Sequence, residues 1–230
     1  MIKINRNTKD DMQPFSKKQL EFMVNATKAW NLCHGAVRTG KTVGSLFSFL
    51  HAVNDCPNSE IYMVGHKLET IYDNAIKLIF ETPQFAIFRP FCTWYGGTRH
   101  ELKFKDKLIK VLGAKDEGAL GNFQGKTMTL LYADEMTLYP DSIIQMIDTR
   151  LSRPISRGWA TMNPSYPTHI IKQWIDKADA GDPKYYALHF ELEDNPYVNQ
   201  DYKDRIKNSL SGLFYKRNYL GQWCMADGAI

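Results

Sequence analysis

Gly35-Ala36-Val37-Arg38-Thr39-Gly40-Lys41-Thr42 fits the pattern G-x-x-x-x-G-K-[ST] without a mismatch. The chemistry is that of a phosphate cradle. Glycines let the backbone curl so that successive N–H groups converge on one concavity. A helix opening at Lys41 would aim the positive end of its dipole at the same place. Lys41 could then reach β- and γ-phosphates, and the Thr42 hydroxyl could ligate Mg²⁺. A random chain of this length matches the pattern about once in a hundred trials, so the context of strand before and helix after matters as much as the match. Further on, Thr129-Leu-Leu-Tyr-Ala-Asp134-Glu135 is an apolar run that ends on two adjacent acids. Acids beside a buried run are costly unless they are used. In nucleotide hydrolases the first such acid holds the Mg²⁺ shell, and an adjacent Glu lies within reach of the attacking water. The bland alternative is a solvated strand end. Arg38, inside the loop, can place a planar charge near a γ-phosphate; its bland alternative is an ion pair that anchors the loop.

These residues need elements to hold them. Apolar spacing predicts a helix over Ser16–Trp30 with Ser16 as N-cap. A short strand, Asn31–His34, leads into the loop. The unbroken run Val43–Val53 reads as a buried helix that stops at Asp55-Cys56-Pro57. Glu60–Gly65 has the length of a buried strand, and Leu68–Phe80 returns to helical spacing. Leu102 and Phe104 alternate with lysines, Asp106-Lys107 reads as a turn, and Leu108–Leu112 as the returning strand of a hairpin. Thr127–Ala133 is predicted as a strand, Ile143–Leu151 as a helix, and Gly158–Met162 as a strand ending at Asn163-Pro164. Short apolar strands alternating with helices imply an α/β fold with a mostly parallel sheet and helices on both faces. Ligands on such sheets bind outside the carboxyl ends of the strands.

Composition sets the outer limits. The chain has 230 residues, 43% hydrophobic and 23% charged, which excludes intrinsic disorder and allows one large domain. No stretch approaches the roughly 20 apolar residues that span a bilayer. The opening MIKINRNTKDDMQPF has no apolar core and is not a signal peptide. Lys and Arg total 29 against 25 Asp and Glu, a net charge of +4 that permits a polyanionic partner without demanding one. Lys103, Lys105, Lys107 and Lys110 on the hairpin could meet DNA phosphates, or they could be a solvated edge that discourages strand pairing. Cys33, Cys56, Cys92 and Cys224 are scattered, with no zinc-ligand spacing. They read as small hydrophobes in a reducing compartment.

GAVRTGKT, the LLYADE strand and the strand end Thr161-Met-Asn163-Pro164, in this order and spacing, resemble the ATPase domain of tailed-bacteriophage terminase large subunits, the motors that package viral DNA. The segment Gly212–Trp223, GLFYKRNYLGQW, is similar to the one that closes that domain. The resemblance runs from about Phe15 to Trp223. It implies a P-loop NTPase fold of the RecA-like ASCE class, with a mostly parallel sheet flanked by helices, a β-hairpin and a small C-terminal helical subdomain at about 195–223. Residues 1–14 would be a flexible arm, and 224–230 the start of a linker to a nuclease domain that a chain of this length has no room for.

The resemblance also implies roles. Gly35–Thr42 and Asp134 would hold Mg²⁺-ATP, Glu135 would activate water, and Gln19 would read adenine. Thr161 and Asn163 would couple γ-phosphate state to movement. Family members work as homo-oligomeric rings in which a neighbour's basic residue completes each site. Where some relatives have an arginine, this chain has Gln124, and Lys126, Arg150, Arg153 and Arg157 stay open as candidates. The implied partners are double-stranded viral DNA, a portal protein and a small terminase subunit, in the host cytoplasm and not at a membrane. Two other readings remain: a helicase- or recombinase-like DNA-dependent ATPase, and a nucleotide-regulated assembly module.

Overall fold

Alternating side chains along the central strands sort the core into two layers. Cys33, Ile61, Met63, Leu130, Tyr132 and Trp159 face one layer. Leu32, Tyr62, Val64, Leu131, Ala133 and Ala160 face the other. Strands buried on both faces are what an interior parallel sheet requires. In the computed structural model, which describes residues 14–57 and 60–225, eight strands form one sheet in the order β3-β4-β5-β2-β6-β7-β1-β8. They are β1 (Trp30–Gly35), β2 (Ile61–Gly65), β3 (Cys92–Tyr95), β4 (Glu101–Phe104), β5 (Lys107–Gly113), β6 (Leu130–Ala133), β7 (Arg157–Met162) and β8 (Tyr185–Phe190). Pairing is parallel from β5 through to β8 and antiparallel for β3–β4 and β4–β5. The loop strand β1 and the acid strand β6 are separated by β7, so their carboxyl ends open onto a shared crevice.

Helices cover both faces. α1 (Lys17–Asn25) and α2 (Lys41–Asp55) lie on the first layer, joined there by a longer helical stretch. That stretch runs as α3 (Leu68–Ile71), a π-helical turn (Tyr72–Ile76) and α4 (Lys77–Glu81). α5 (Asp141–Arg150) and α6 (Ile170–Asp179) cover the second layer. α7 (Gln200–Ser209), the short α8 (Gly212–Phe214) and a second π turn (Tyr215–Tyr219) follow β8. Two buried tryptophans tie layers to sheet without leaving their indole N–H unpaired. Trp30 donates to Asp148 Oδ1 (2.8 Å), and Trp159 donates to Ser48 Oγ of α2 (3.0 Å).

The main departures from the sequence reading have local causes. The first helix stops at Asn25 rather than Trp30, because Trp30 N–H is taken by Lys184 O (3.0 Å) as β1 joins the sheet. The predicted helix at 68–80 is present but interrupted by the π turn. The hairpin turns one residue early, with Lys105 in the left-handed region (φ 55°) and β5 starting at Lys107. The strand expected from Thr127 begins at Leu130. The helix expected at Ile143–Leu151 spans Asp141–Arg150. β3, α6 and β8 have no counterpart in the sequence reading. Of the expected arm 1–14 only Pro14 is described, and of the expected linker 224–230 only Cys224 and Met225. None of the four cysteines is in a disulfide; Cys33 and Cys56 are buried, Cys92 and Cys224 half-buried. Among the described residues no helix is long and apolar enough to cross a membrane.

Candidate functional site

A cleft of about 660 Å³ opens at the carboxyl ends of β1, β6 and β7. Arg38–Thr42, Asp134, Glu135, Thr161 and Asn163 all line it, so residues as far apart in the chain as Lys41 and Asn163 share one wall. The loop is shaped by its backbone. Gly35 sits at φ +133°, and a Cβ there would lie 2.0 Å from Phe190 O, so no other residue fits beside β8. Arg38 takes a left-handed conformation (φ 56°), uncommon for a residue with a side chain and a mark of a locally constrained loop. α2 then begins at Lys41 and runs for 15 residues, with its N-terminus directed at the cleft.

Lys41 is 7% exposed and folded back onto its own loop. Its Nζ donates to Gly35 O (3.1 Å), to Ala36 O and to Asn163 Oδ1 (3.2 Å). Burial pushes its pKa down to about 8, against the pull of the nearby carboxylates of Asp134 and Glu135. These carbonyl contacts are neutral acceptors for a cation, and a phosphate would compete for the same ammonium protons.

Asp134 is 3% exposed, yet both of its carboxylate oxygens have a donor. Thr161 Oγ1 donates to Oδ1 (2.7 Å) and Asn74 Nδ2 to Oδ2 (3.0 Å). Burial raises the Asp134 pKa, while those two hydrogen bonds and Lys41 hold it down. The same Thr161 hydroxyl accepts from Glu135 N–H (3.2 Å), so one oxygen bridges the two acids. Glu135 itself is in the left-handed region (φ 51°), which turns its side chain off the strand line at the cleft mouth. Its carboxyl pKa is raised by burial and by the charge of Asp134, the direction that suits a proton acceptor near neutral pH. Tyr139 OH lies 2.7 Å from the carbonyl oxygens of both Asp134 and Val64, between which its single proton is shared, and this fixes the turn that follows β6.

The donors that could meet a metal are hard oxygens, the Asp134 carboxylate and the Thr42 hydroxyl. They fit Mg²⁺, which takes few protein ligands and completes its shell with water and phosphate oxygens. Among the described residues no cluster of three or more His, Cys, Asp or Glu exists that would favour a different ion.

Residues that the sequence reading did not single out close the far side. Asn195 Nδ2 donates to Arg38 O (2.8 Å), and the Arg38 guanidinium lies over the Tyr202 ring of α7 at 4.8 Å. Asn218 O accepts from Val37 N–H (2.9 Å). Asp73 and Asn74 enter the cleft from the π turn. No local signal marks these residues, because each is polar, isolated and far in sequence from its partner.

Other expected site residues stand elsewhere. Gln19 is buried. Its Oε1 accepts from Ser16 N–H (2.8 Å), completing a capping box at the start of α1, and its Nε2 donates to Gly40 O (3.0 Å). It therefore touches the loop from behind and is not among the cleft-lining residues. None of Lys126, Arg150, Arg153 and Arg157 lines the cleft. Arg153 pairs with Glu60 (2.7 Å), Arg157 lies over Trp159 (5.6 Å), and Arg150 contacts Met146 Sδ (2.9 Å). Lys126 is half-buried, and Gln124 nearby is exposed. On the hairpin, Lys107 Nζ donates to Val53 O (2.6 Å) and Asn54 O (3.0 Å), and Lys105 bonds Asn54 Oδ1. Lys107 therefore caps the C-terminal end of α2, while Lys105, itself exposed, meets the Asn54 side chain. Lys103 and Lys110 remain exposed.

Comparison with known proteins adds an independent line. The family model for the terminase large subunit, T4likevirus-type, N-terminal, matches residues 32–230. The large terminase of a thermophilic bacteriophage superposes with a TM-score of 0.78 at 29% identity, covering 93% of this chain and 54% of that one. The same phage protein in complex with ADP gives 0.77 at 27% identity, covering 92% and 54%. The large terminase of bacteriophage HK97 gives 0.69 at 15% identity, covering 92% and 51%, which speaks to fold alone. The chain thus spans about half the length of these relatives. No curated protein matches its sequence.

Proposed function

The chain belongs to the terminase large subunit family, matching its T4-like-virus-type N-terminal part, and from that premise we propose that it is a Mg²⁺-dependent ATPase whose hydrolysis drives double-stranded viral DNA into a procapsid. The observation that carries the reading is one hydroxyl. Thr161 Oγ1 donates to the Asp134 carboxylate and accepts from Glu135 N–H, in the cleft that the phosphate-type loop also lines. That joins a metal-binding acid and a base to a strand end in a single hydrogen-bonded unit.

In this reading the loop N–H groups and the start of α2 bind the phosphates, and Lys41 leaves its loop carbonyls for the β- and γ-phosphate oxygens. Thr42 and Asp134 would hold Mg²⁺, which would supply neutralising charge for those oxygens. Glu135 takes a proton from the attacking water. Arg38 moves off Tyr202 toward the charge that develops at the γ-phosphate. Asn163 reports the change. It accepts from Lys41 Nζ, so withdrawal of Lys41 frees it, and its backbone carbonyl is held by Thr137 Oγ1 (3.0 Å) beside a second cavity lined by Phe214 and Arg217. The finer parts of the reading are a ring of copies, one basic residue among Lys126, Arg150, Arg153 and Arg157 acting in trans, and partners in a portal protein and a small terminase subunit.

The test is Glu135→Ala. ATP affinity should stay within a few-fold of the unaltered chain, while turnover with DNA and portal present falls by about 10²–10⁴, the usual contribution of a general base. Hydrolysis retained at the original rate would remove Glu135 from the mechanism.

A further inference from the structure

The helical stretch Leu68–Glu81 is α-helical at both ends and widens to a π turn only at Tyr72–Ile76. A single π turn inside an α-helix is rare, weakens the hydrogen-bond ladder and tends to persist where a site needs it. Here Ile71, Ala75 and Ile76 are fully buried and anchor one side of the turn in the core. Asp73 and Asn74, on the other side, line the cleft. Asn74 Nδ2 donates to Asp134 Oδ2 at 3.0 Å, 60 residues away in sequence. Thr161 holds the opposite oxygen at 2.7 Å. The Asp134 carboxylate is thus pinned from two sides by two separate elements, β7 and the π turn. An ionised carboxylate only accepts, so the amide nitrogen of Asn74 must face it. The choice of amide matters as well. A lysine or arginine in this place would orient Asp134 but also cancel its charge, whereas an amide orients it and leaves the charge free for a cation.

We propose that Asn74 is a positioning residue for Asp134, delivered by the π turn, which sets the carboxylate plane for Mg²⁺ and does not itself touch the nucleotide. The proposal rests on the reading of the cleft as a Mg²⁺-ATP site. Groups that orient a ligating carboxylate commonly change metal affinity by 10–100-fold when removed. Asn74 lines the cleft, but the hydrogen bond it makes there is to Asp134, so the effect is expected at the metal.

The experiment uses the full chain and its Asn74→Leu and Asn74→Ala variants. Calorimetric ATP binding is followed across a Mg²⁺ series and again in EDTA, with thermal melting alongside. The expected result is a rise of about 10-fold or more in the Mg²⁺ concentration that half-restores tight ATP binding, with ATP affinity in EDTA within about twofold of the unaltered chain. A purely structural role would shift the EDTA affinity and the melting temperature equally with the Mg²⁺ response, and that outcome overturns the proposal. So does an unchanged Mg²⁺ requirement in either folded variant. If the unaltered chain binds ATP no better with Mg²⁺ than with EDTA, the metal reading of the cleft falls, and the role of Asn74 falls with it. The two failures are therefore told apart by the unaltered chain alone.

Discussion

Gln19 has both ends of its amide engaged inside the protein, one on the N-cap of α1 and one on the carbonyl of Gly40. We propose that a residue held this way would act on a nucleotide through the loop, whereas a direct adenine contact would require Gln19 to give up one of these hydrogen bonds. Gln19→Ala should lower ATP and GTP affinity by the same factor and reduce stability by about 1 kcal/mol through the lost cap. Gln19→Glu keeps the acceptor toward Ser16 and loses the donor toward Gly40, so it should weaken binding with less loss of stability. Parallel titrations with ATP and GTP decide the matter, since a selective loss of ATP binding would restore direct adenine contact. The residue type was legible from the sequence, but its partners were not, because Gly40 lies 21 positions away and only the packing of α1 on α2 brings the two together.

At the scale of elements, the segment after α8 acts as a strap over the loop. Gly221 takes φ +65°, and a Cβ there would lie 2.7 Å from Ala36 N and 2.7 Å from His189 Nε2. Two residues on, Trp223 Nε1 approaches His34 Nδ1 at 3.5 Å. Gly221→Ala should therefore lift the strap from the loop. We expect a destabilisation of about 1–3 kcal/mol, from the positive φ and the overpacking together, with weaker ATP binding measured on protein that is still folded. Unchanged affinity in a folded Gly221→Ala chain would mean that the strap does not set loop geometry. α6 shows what the sequence held and what went unread. Ile171, Trp174 and Ile175 have helical spacing and are buried. β8 was also there to be read, since Tyr185–Phe190 is apolar except for His189, although its middle residues are only half-buried at the sheet edge.

For the whole molecule, the basic residues proposed to act in trans all lie away from the chain's own cleft, and Arg153 and Arg157 sit by the amino ends of β2 and β7. A lone copy would then lack part of its site. Specific ATPase activity should rise with protein concentration, and by about 10³-fold or more once DNA and portal assemble the ring, the range attributed to a basic finger supplied by a neighbour. Fast turnover that does not depend on concentration, from a chain shown to be monomeric, would end the shared-site reading.

The sequence by itself determined the alternation of strands and helices, the phosphate-type loop, the paired acids and the Asn-Pro strand end, because each is a local pattern of spacing or residue type. Ser16 as helix cap was equally local and equally legible. Only the tertiary structure decided that Thr161 bridges both acids, that Asn74 holds Asp134 from a π turn, and that Asn195, Tyr202 and Asn218 close over the loop. Those pairings depend on the order of strands in the sheet. β7 lies between β6 and β1, and it is this placement that brings positions 41, 74, 134, 161 and 195 to one cleft. Hydrogen bonds between residues far apart in the chain leave no periodicity behind, so no reading of spacing could have found them.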